Sequence, residues 1–176
     1  KHKVVDVDAA TNTLKFEFND DVKASVLNVI PDMRAGDIAV KSGLATANKR
    51  WCEVDFLTFE SVAVKNVHVL GDSIQIAPAM PKSGHMANQH GKTCAAAVVA
   101  LLTGKQPNSL PIYNNTCYSF VSDEDVVHVA SVHRYDAEKK TMLTVPGSGG
   151  VSAAANELEG RYALAWARNI WADTLA

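Results

Sequence analysis

Val67-His68-Val69-Leu70-Gly71-Asp72, read with the residues that follow it as far as Lys92, decides the fold of this chain. The apolar run predicts a buried strand, and Gly-Asp predicts a break at its end. Ala77-Pro78-Ala79-Met80-Pro81-Lys82-Ser83-Gly84 then reads as an irregular loop that leads into a helix ending near Gly104. Ser83 suits the N-cap of that helix and Gly104 its C-terminal stop. A strand, a carboxylate and a helix N-terminus in this order put Asp72 and free backbone N–H groups at the carboxyl edge of a sheet. Open α/β sheets bind their ligands at that edge.

The chain has 176 residues, enough to bury one large core or two small ones. Its composition, 47% hydrophobic and 20% charged, is that of an ordinary globular protein. A net charge of -2 gives no reason to expect nucleic acid or an anionic membrane as a partner. No apolar run is long enough to span a bilayer, and no signal peptide is present. The chain lacks an initiator Met and is already strand-like at Lys3-Val4-Val5-Asp6-Val7, so it reads as a piece of something longer. Cys52, Cys94 and Cys117 are odd in number and form no Cys-x-x-Cys pair, which argues against a disulfide framework or a zinc site. The six histidines show no metal-binding spacing, so no metal is expected.

Before the central stretch, Val4 to Val7 and Leu14 to Phe18 predict a hairpin, and Val22 to Ile30 a further strand stopped by Pro31. Ile38 to Ala45 suits a short helix with Gly43 near its end, and Trp51 to Val54 a second buried strand. The helix from about His85 to Thr103 carries a small-residue stripe at Ala87, Gly91, Cys94 and Val98, a face able to lie close on a sheet. Beyond Gly104, the Pro- and Asn-rich segment from Lys105 to Asn115 reads as a linker and a domain boundary. Val126 to Tyr135 and Thr141 to Val145 then predict a hairpin over Asp136 to Lys140. A last helix is expected from about Ala153 to Leu175, with Leu158, Tyr162, Trp166 and Ile170 on one packed face and Leu164 and Trp171 on another.

Several residues could carry chemistry, and each has a plainer reading. Asp72 could be a turn former; in its functional reading Gly71 lets a ligand approach the backbone while Asp72 accepts a hydrogen bond from a ribityl hydroxyl. Flavin adenine dinucleotide is a ligand of that kind. Lys82, Ser83 and Gly84 could be a capped turn with a solvated charge; alternatively, the helix tip and Lys82 stabilise negative charge on the N1 and C2 carbonyl edge of a reduced flavin. Cys52 and Cys94 read as inert packed thiols, whereas Cys117 lies among polar residues. A redox role for Cys117 requires a group that favours its thiolate and a resolving partner, and neither Cys52 nor Cys94 is an obvious one. Trp166 and Trp171 read first as core residues of a helix. Pro146-Gly147-Ser148-Gly149-Gly150 lacks the Gly-Lys-Ser/Thr ending of a phosphate loop and is a breaker.

Taken together, these segments resemble a known family. Asn28-Val29-Ile30-Pro31, Arg34-Ala35-Gly36, Trp51-Cys52-Glu53-Val54-Asp55, Thr58-Phe59-Glu60-Ser61, Val69-Leu70-Gly71-Asp72, Met80-Pro81-Lys82-Ser83-Gly84 and Asn114-Asn115-Thr116-Cys117-Tyr118-Ser119 occur in the order and spacing of the flavoprotein subunit of flavocytochrome c sulfide dehydrogenase, in its C-terminal portion. The resemblance covers nearly the whole chain. It implies α/β and α+β architecture: residues 1–31 as the end of an NAD-like domain, 32–105 as the returning half of a glutathione-reductase-like FAD domain, and 106–176 as a small C-terminal α+β domain.

The resemblance further implies FAD, joined covalently through a cysteine upstream of this chain, and sulfide oxidation at a redox-active disulfide beside the flavin. Electrons pass to a c-type cytochrome subunit that carries the haem, in the bacterial periplasm. Gly71 and Asp72 match residues near the ribityl and pyrophosphate groups, Lys82, Ser83 and Gly84 the flavin pyrimidine edge, Cys117 one half of the redox disulfide, and Trp166 a tryptophan close to the flavin. The dinucleotide fingerprint, the flavin-linking cysteine and the second redox cysteine are absent from these residues, so the segment by itself is expected to be inactive. Two rival readings are a sulfide:quinone oxidoreductase relative and a non-catalytic docking or dimerisation module. The first should carry a basic, membrane-binding amphipathic C-terminus, which residues 153–175 do not supply.

Overall fold

The computed structural model describes residues 2–175, which divide into two compact units between Met33 and Arg34. In the first unit β1 (Val4–Asp8) pairs antiparallel with β2 (Thr13–Phe16), and β2 with β3 (Val22–Lys23). Asp8 Oδ1 accepts from the N–H groups of Ala10 and Thr11 at 2.9 and 3.2 Å, and Asn12 takes φ 52°, so the turn is built by its own residues. The strand expected from Val22 to Ile30 stops after Lys23. Val26 and Ile30, each 83% exposed, contribute nothing to a sheet face.

The second unit starts with α1 (Asp37–Lys41), shorter than expected and ended by Gly43 at φ 74°. Two expectations fail next: neither Trp51–Val54 nor Val67–Leu70 is a strand. They supply only isolated bridges, Trp51 to Ala47, Cys52 to Ile74, Val54 to Ser61, and His68 to Glu60. An apolar run becomes a strand only where a neighbour supplies a ladder, and here each run meets another at a single point. Side-chain burial holds the segment instead. Phe59 and Ile74 are fully buried, and Phe59 accepts a strained φ of 59° to reach the core.

Helix α2 (Gly84–Leu102) keeps both expected ends: Ser83 Oγ accepts from Met86 N–H at 3.1 Å, and Gly104 turns at φ 69°. Its buried residues are Met86, His90, Cys94 and Ala97, so half of the small-residue stripe faces the core: Cys94 is buried and Val98 packs beside it. Met86 and Cys94 enter a core with Phe59 and Tyr113, whereas Ala87 and Gly91 border an open groove.

The segment expected as a linker gives way at Ile112 to β4 (Ile112–Phe120), so Asn114 and Asn115 are strand residues. β4 pairs antiparallel with β5 (Val126–Asp136) along its whole length. β6 (Thr141–Thr144) and β7 (Gly150–Val151) share the other edge of β5, and β5 and β6 form the hairpin expected over residues 136–140. Tyr113 of β4, Tyr135 of β5 and Met142 of β6 join the core of Phe59, Met86 and Cys94, so residues on both sides of Lys105 share one interior.

Helix α3 (Glu157–Leu175) begins four residues later than expected, and its apolar stripe is displaced. Gly160 and Ala163 are its buried residues, while Leu158 and Tyr162 are 52% and 54% exposed. A Cβ at Gly160 would stand 2.2 Å from Glu124 O, so the helix meets the β4–β5 turn too closely for a larger side chain at that position. Leu164 and Trp171 also lie exposed, so α3 does not pack on two sides. The described residues thus form mixed α and β structure of two antiparallel sheets and three α-helices.

Candidate functional site

The start of α2 is the centre of the site, because loop, helix and sheet meet there. α2 is pinned to the outer edge of β4 by side chains that complete the strand's backbone. Gln89 Oε1 accepts from Asn114 N–H at 3.0 Å while its Nε2 donates to Asn114 O, and His85 Nδ1 accepts from Thr116 N–H at 3.1 Å. A strand edge with no neighbouring strand is thus satisfied by a helix. These bonds bring Ser83 and Gly84 to the wall of the same cavity, of about 330 Å³, as Cys117, with His85 and Tyr118 beside them, and α3 adds Trp166.

The helix tip presents donors. Ser83 Oγ takes Met86 N–H and Ser83 O takes Ala87 N–H, whereas the N–H groups of Gly84 and His85 have no acceptor among the described residues. Nothing lies within 4 Å of the position a Cβ would occupy on Gly84, which leaves room for a ligand to approach. Across the cavity the indole of Trp166 stands edge-on to His85, with ring centroids 5.6 Å apart, and 6.1 Å from Tyr118. Its Nε1 is buried without a hydrogen-bond partner. Burial and the nearby Lys92 lower the pKa of His85, which favours its neutral form.

Cys117 is half-buried, and its sulfur lies 3.3 Å from Asn115 Nδ2. Cys52 and Cys94 are free thiols too, both buried and both with pKa values raised by burial. Among the described residues no group of three or more His, Cys, Asp and Glu side chains could hold a metal, and no helix is long and apolar enough to cross a membrane.

Gly71, Asp72 and Lys82 form a second group that does not line this cavity. Gly71 opens a single 3-10 turn (Gly71–Ser73) at φ 67°, and a Cβ there would lie 3.3 Å from that of Ala87, so glycine fits the corner against α2. The Asp72 side is exposed. Lys82 folds back: its Nζ donates to Asp72 O at 2.6 Å and Ile74 O at 2.7 Å, and sits 3.7 Å from the centroid of the Trp51 ring. The ammonium is therefore spent on the Gly-Asp corner, and burial lowers its pKa.

Two residues of this region escape a reading of the sequence. His90 is buried behind the corner, where its Nδ1 accepts from Gly71 N–H at 3.3 Å, and it packs on Phe59 and Tyr113. Burial depresses its pKa to about 4, so the ring is neutral at pH 7. A single His within a helix gives no signal for this. Asn115 does give one, because the period of two in a strand puts Asn115 and Cys117 on one face.

An uncapped pair of N–H groups, an orphaned indole N–H and open apolar walls fit a planar heteroaromatic ligand with acceptor atoms along one edge. Comparison with known families points the same way: residues 109–175, which hold β4 to α3, match the model of a flavin-binding domain. The matching family is described as flavocytochrome c sulphide dehydrogenase, flavin-binding, and the match is confined to this C-terminal part of the chain. The motif resemblance of the sequence therefore stands over that part of the chain, and the match supports a flavoprotein role in that system.

Proposed function

We propose that this chain is the C-terminal portion of a periplasmic flavoprotein that oxidises sulfide at a disulfide containing Cys117 and passes the electrons, through FAD, to a c-type cytochrome subunit that holds the haem. Residues 1–31 would close an NAD-like domain, 32–105 would complete a glutathione-reductase-like FAD domain, and 106–176 would form the C-terminal domain. The partner cysteine, the dinucleotide fingerprint and the flavin-linking cysteine would come from the rest of the flavoprotein.

One observation carries the proposal: Cys117, Ser83, Gly84 and Trp166 converge on a single cavity although 83 residues separate the first and last of them along the chain. Hydrosulfide would add to one sulfur of the disulfide. The S–S bond breaks, one cysteine keeps a persulfide, and the other leaves as thiolate. FAD, when bound, supplies a two-electron acceptor that can release electrons singly. The free N–H groups of Gly84 and His85 would face the pyrimidine edge and stabilise negative charge there, with the positive end of α2 adding to the effect. Trp166 would wall the ring. Gly71 and Asp72 would contact the ribityl and pyrophosphate region, and Lys82 would act mainly by fixing that corner through the two carbonyls it holds.

The test is Cys117→Ser in the complete flavoprotein with its cytochrome. Sulfide-dependent cytochrome reduction should fall at least about a hundredfold, as expected when a covalent catalyst is removed. Undiminished reduction would mean that the domain docks or dimerises and does no chemistry. The isolated 176-residue segment mixed with FAD should show no turnover.

A further inference from the structure

Asn115 is 3% exposed and stands two residues before Cys117 on the same face of β4. Its amide is oriented by the cap of α2. Because Ser83 Oγ accepts from Met86 N–H, its own proton is free, and it donates to Asn115 Oδ1 at 2.5 Å. With Oδ1 turned to the cap, Nδ2 is aimed at Cys117 Sγ, 3.3 Å away. The protonated thiol has a competing option, since its S–H can donate to Oδ1 at 3.7 Å. A thiolate has no proton to give and can only accept from Nδ2. The Nδ2 donor is thus in place for a sulfur that has lost its proton.

We propose that Asn115 is a positioning residue that, braced by Ser83, holds an N–H on the Cys117 sulfur and stabilises its thiolate. The proton lost from the thiol goes to solvent, and no other reagent is needed. The catalytic value of this contact rests on the reading that Cys117 trades electrons. The contact itself does not.

The flavoprotein with its cofactor bound is reduced and treated with iodoacetamide at pH 7, and alkylation of the peptide bearing Cys117 is followed by mass spectrometry, which sets Cys52 and Cys94 aside. A hydrogen bond to a charged acceptor is worth about a tenfold change in thiolate population, while a more basic thiolate is intrinsically roughly threefold more reactive. Asn115→Ala should therefore react about threefold more slowly. Asn115→Asp keeps the size and the acceptor for Ser83 but puts a carboxylate in place of the donor, and should react more slowly still, by roughly tenfold or more. If Asn115 only fills space, its removal loosens the wall around the sulfur, and alkylation proceeds unchanged or faster; either result overturns the proposal. Where Asn115→Ala does not fold, Asn115→Asp decides by the same criterion. Because alkylation is read without sulfide turnover, failure of the redox role of Cys117 and failure of this contact are told apart.

Discussion

Lowering the pH from 7 to 4 should destabilise the second unit through His90. The ring is fully buried, its Nδ1 is occupied by Gly71 N–H, and its Nε2 is buried without a partner. A proton on Nδ1 would turn an accepted hydrogen bond into two opposed donors, in a buried site with Lys82 contributing repulsion. The pKa falls from 6.5 to about 4 on folding. The unfolded chain therefore binds the extra proton first, and the stability at stake is complete above about pH 6.5 and is lost as pH falls toward 4. At about 1.4 kcal/mol for each pH unit, roughly 3 kcal/mol is involved, a large fraction of the stability of a typical domain. Urea unfolding followed by tryptophan fluorescence at pH 7, 6, 5 and 4 would measure it in wild type and in His90→Gln, whose amide oxygen can still accept from Gly71. The variant should be weaker at pH 7 from lost packing on Phe59 and Tyr113, and the gap should narrow and then reverse toward pH 4. Parallel profiles for the two proteins would refute the assignment of this acid sensitivity to His90.

Two smaller changes test the frame of the site. Gly160→Ala places a methyl group against Glu124 O, where the added atom would stand at 2.2 Å, and should cost about 1–3 kcal/mol in urea unfolding as α3 is pushed off the sheet. Ser83→Ala removes the cap of α2 and the brace on Asn115 together; thermal or urea unfolding should show a loss of about 1 kcal/mol, and alkylation of Cys117 should slow along with it.

Much of the scaffold could be read from local chemistry. The ends of α2 follow from Ser83 and Gly104, and the two hairpins from polar turns between apolar runs, because caps and turns are decided within a few residues. The segments 51–54 and 67–70 could not be read in this way: a strand is defined by its neighbours, and these runs meet theirs only at single bridges. The buried face of α3 departs from its apolar pattern for a related reason. Hydrophobicity marks what could be buried, but α3 meets the β4–β5 turn closely at Gly160, and Ala163 goes inward while Leu158 and Tyr162 stay out. In the site, Ser83, Gly84, Cys117 and Trp166 could be picked out by motif, yet the meeting of Ser83 and Gly84 with Cys117 depends on His85 and Gln89 satisfying the edge of β4, which no spacing in the chain reveals. Lys82 shows the limit of reading a charge from its place near a helix tip: two carbonyls and an indole ring turn it elsewhere.

Titrating the bound flavin with sulfide, its absorbance recorded in wild-type flavoprotein and in Cys117→Ser, addresses the central claim most directly. Sulfide should bleach the flavin in the wild type and leave it oxidised in the variant. Equal bleaching in both would place the entry of electrons somewhere other than Cys117 and contradict the account.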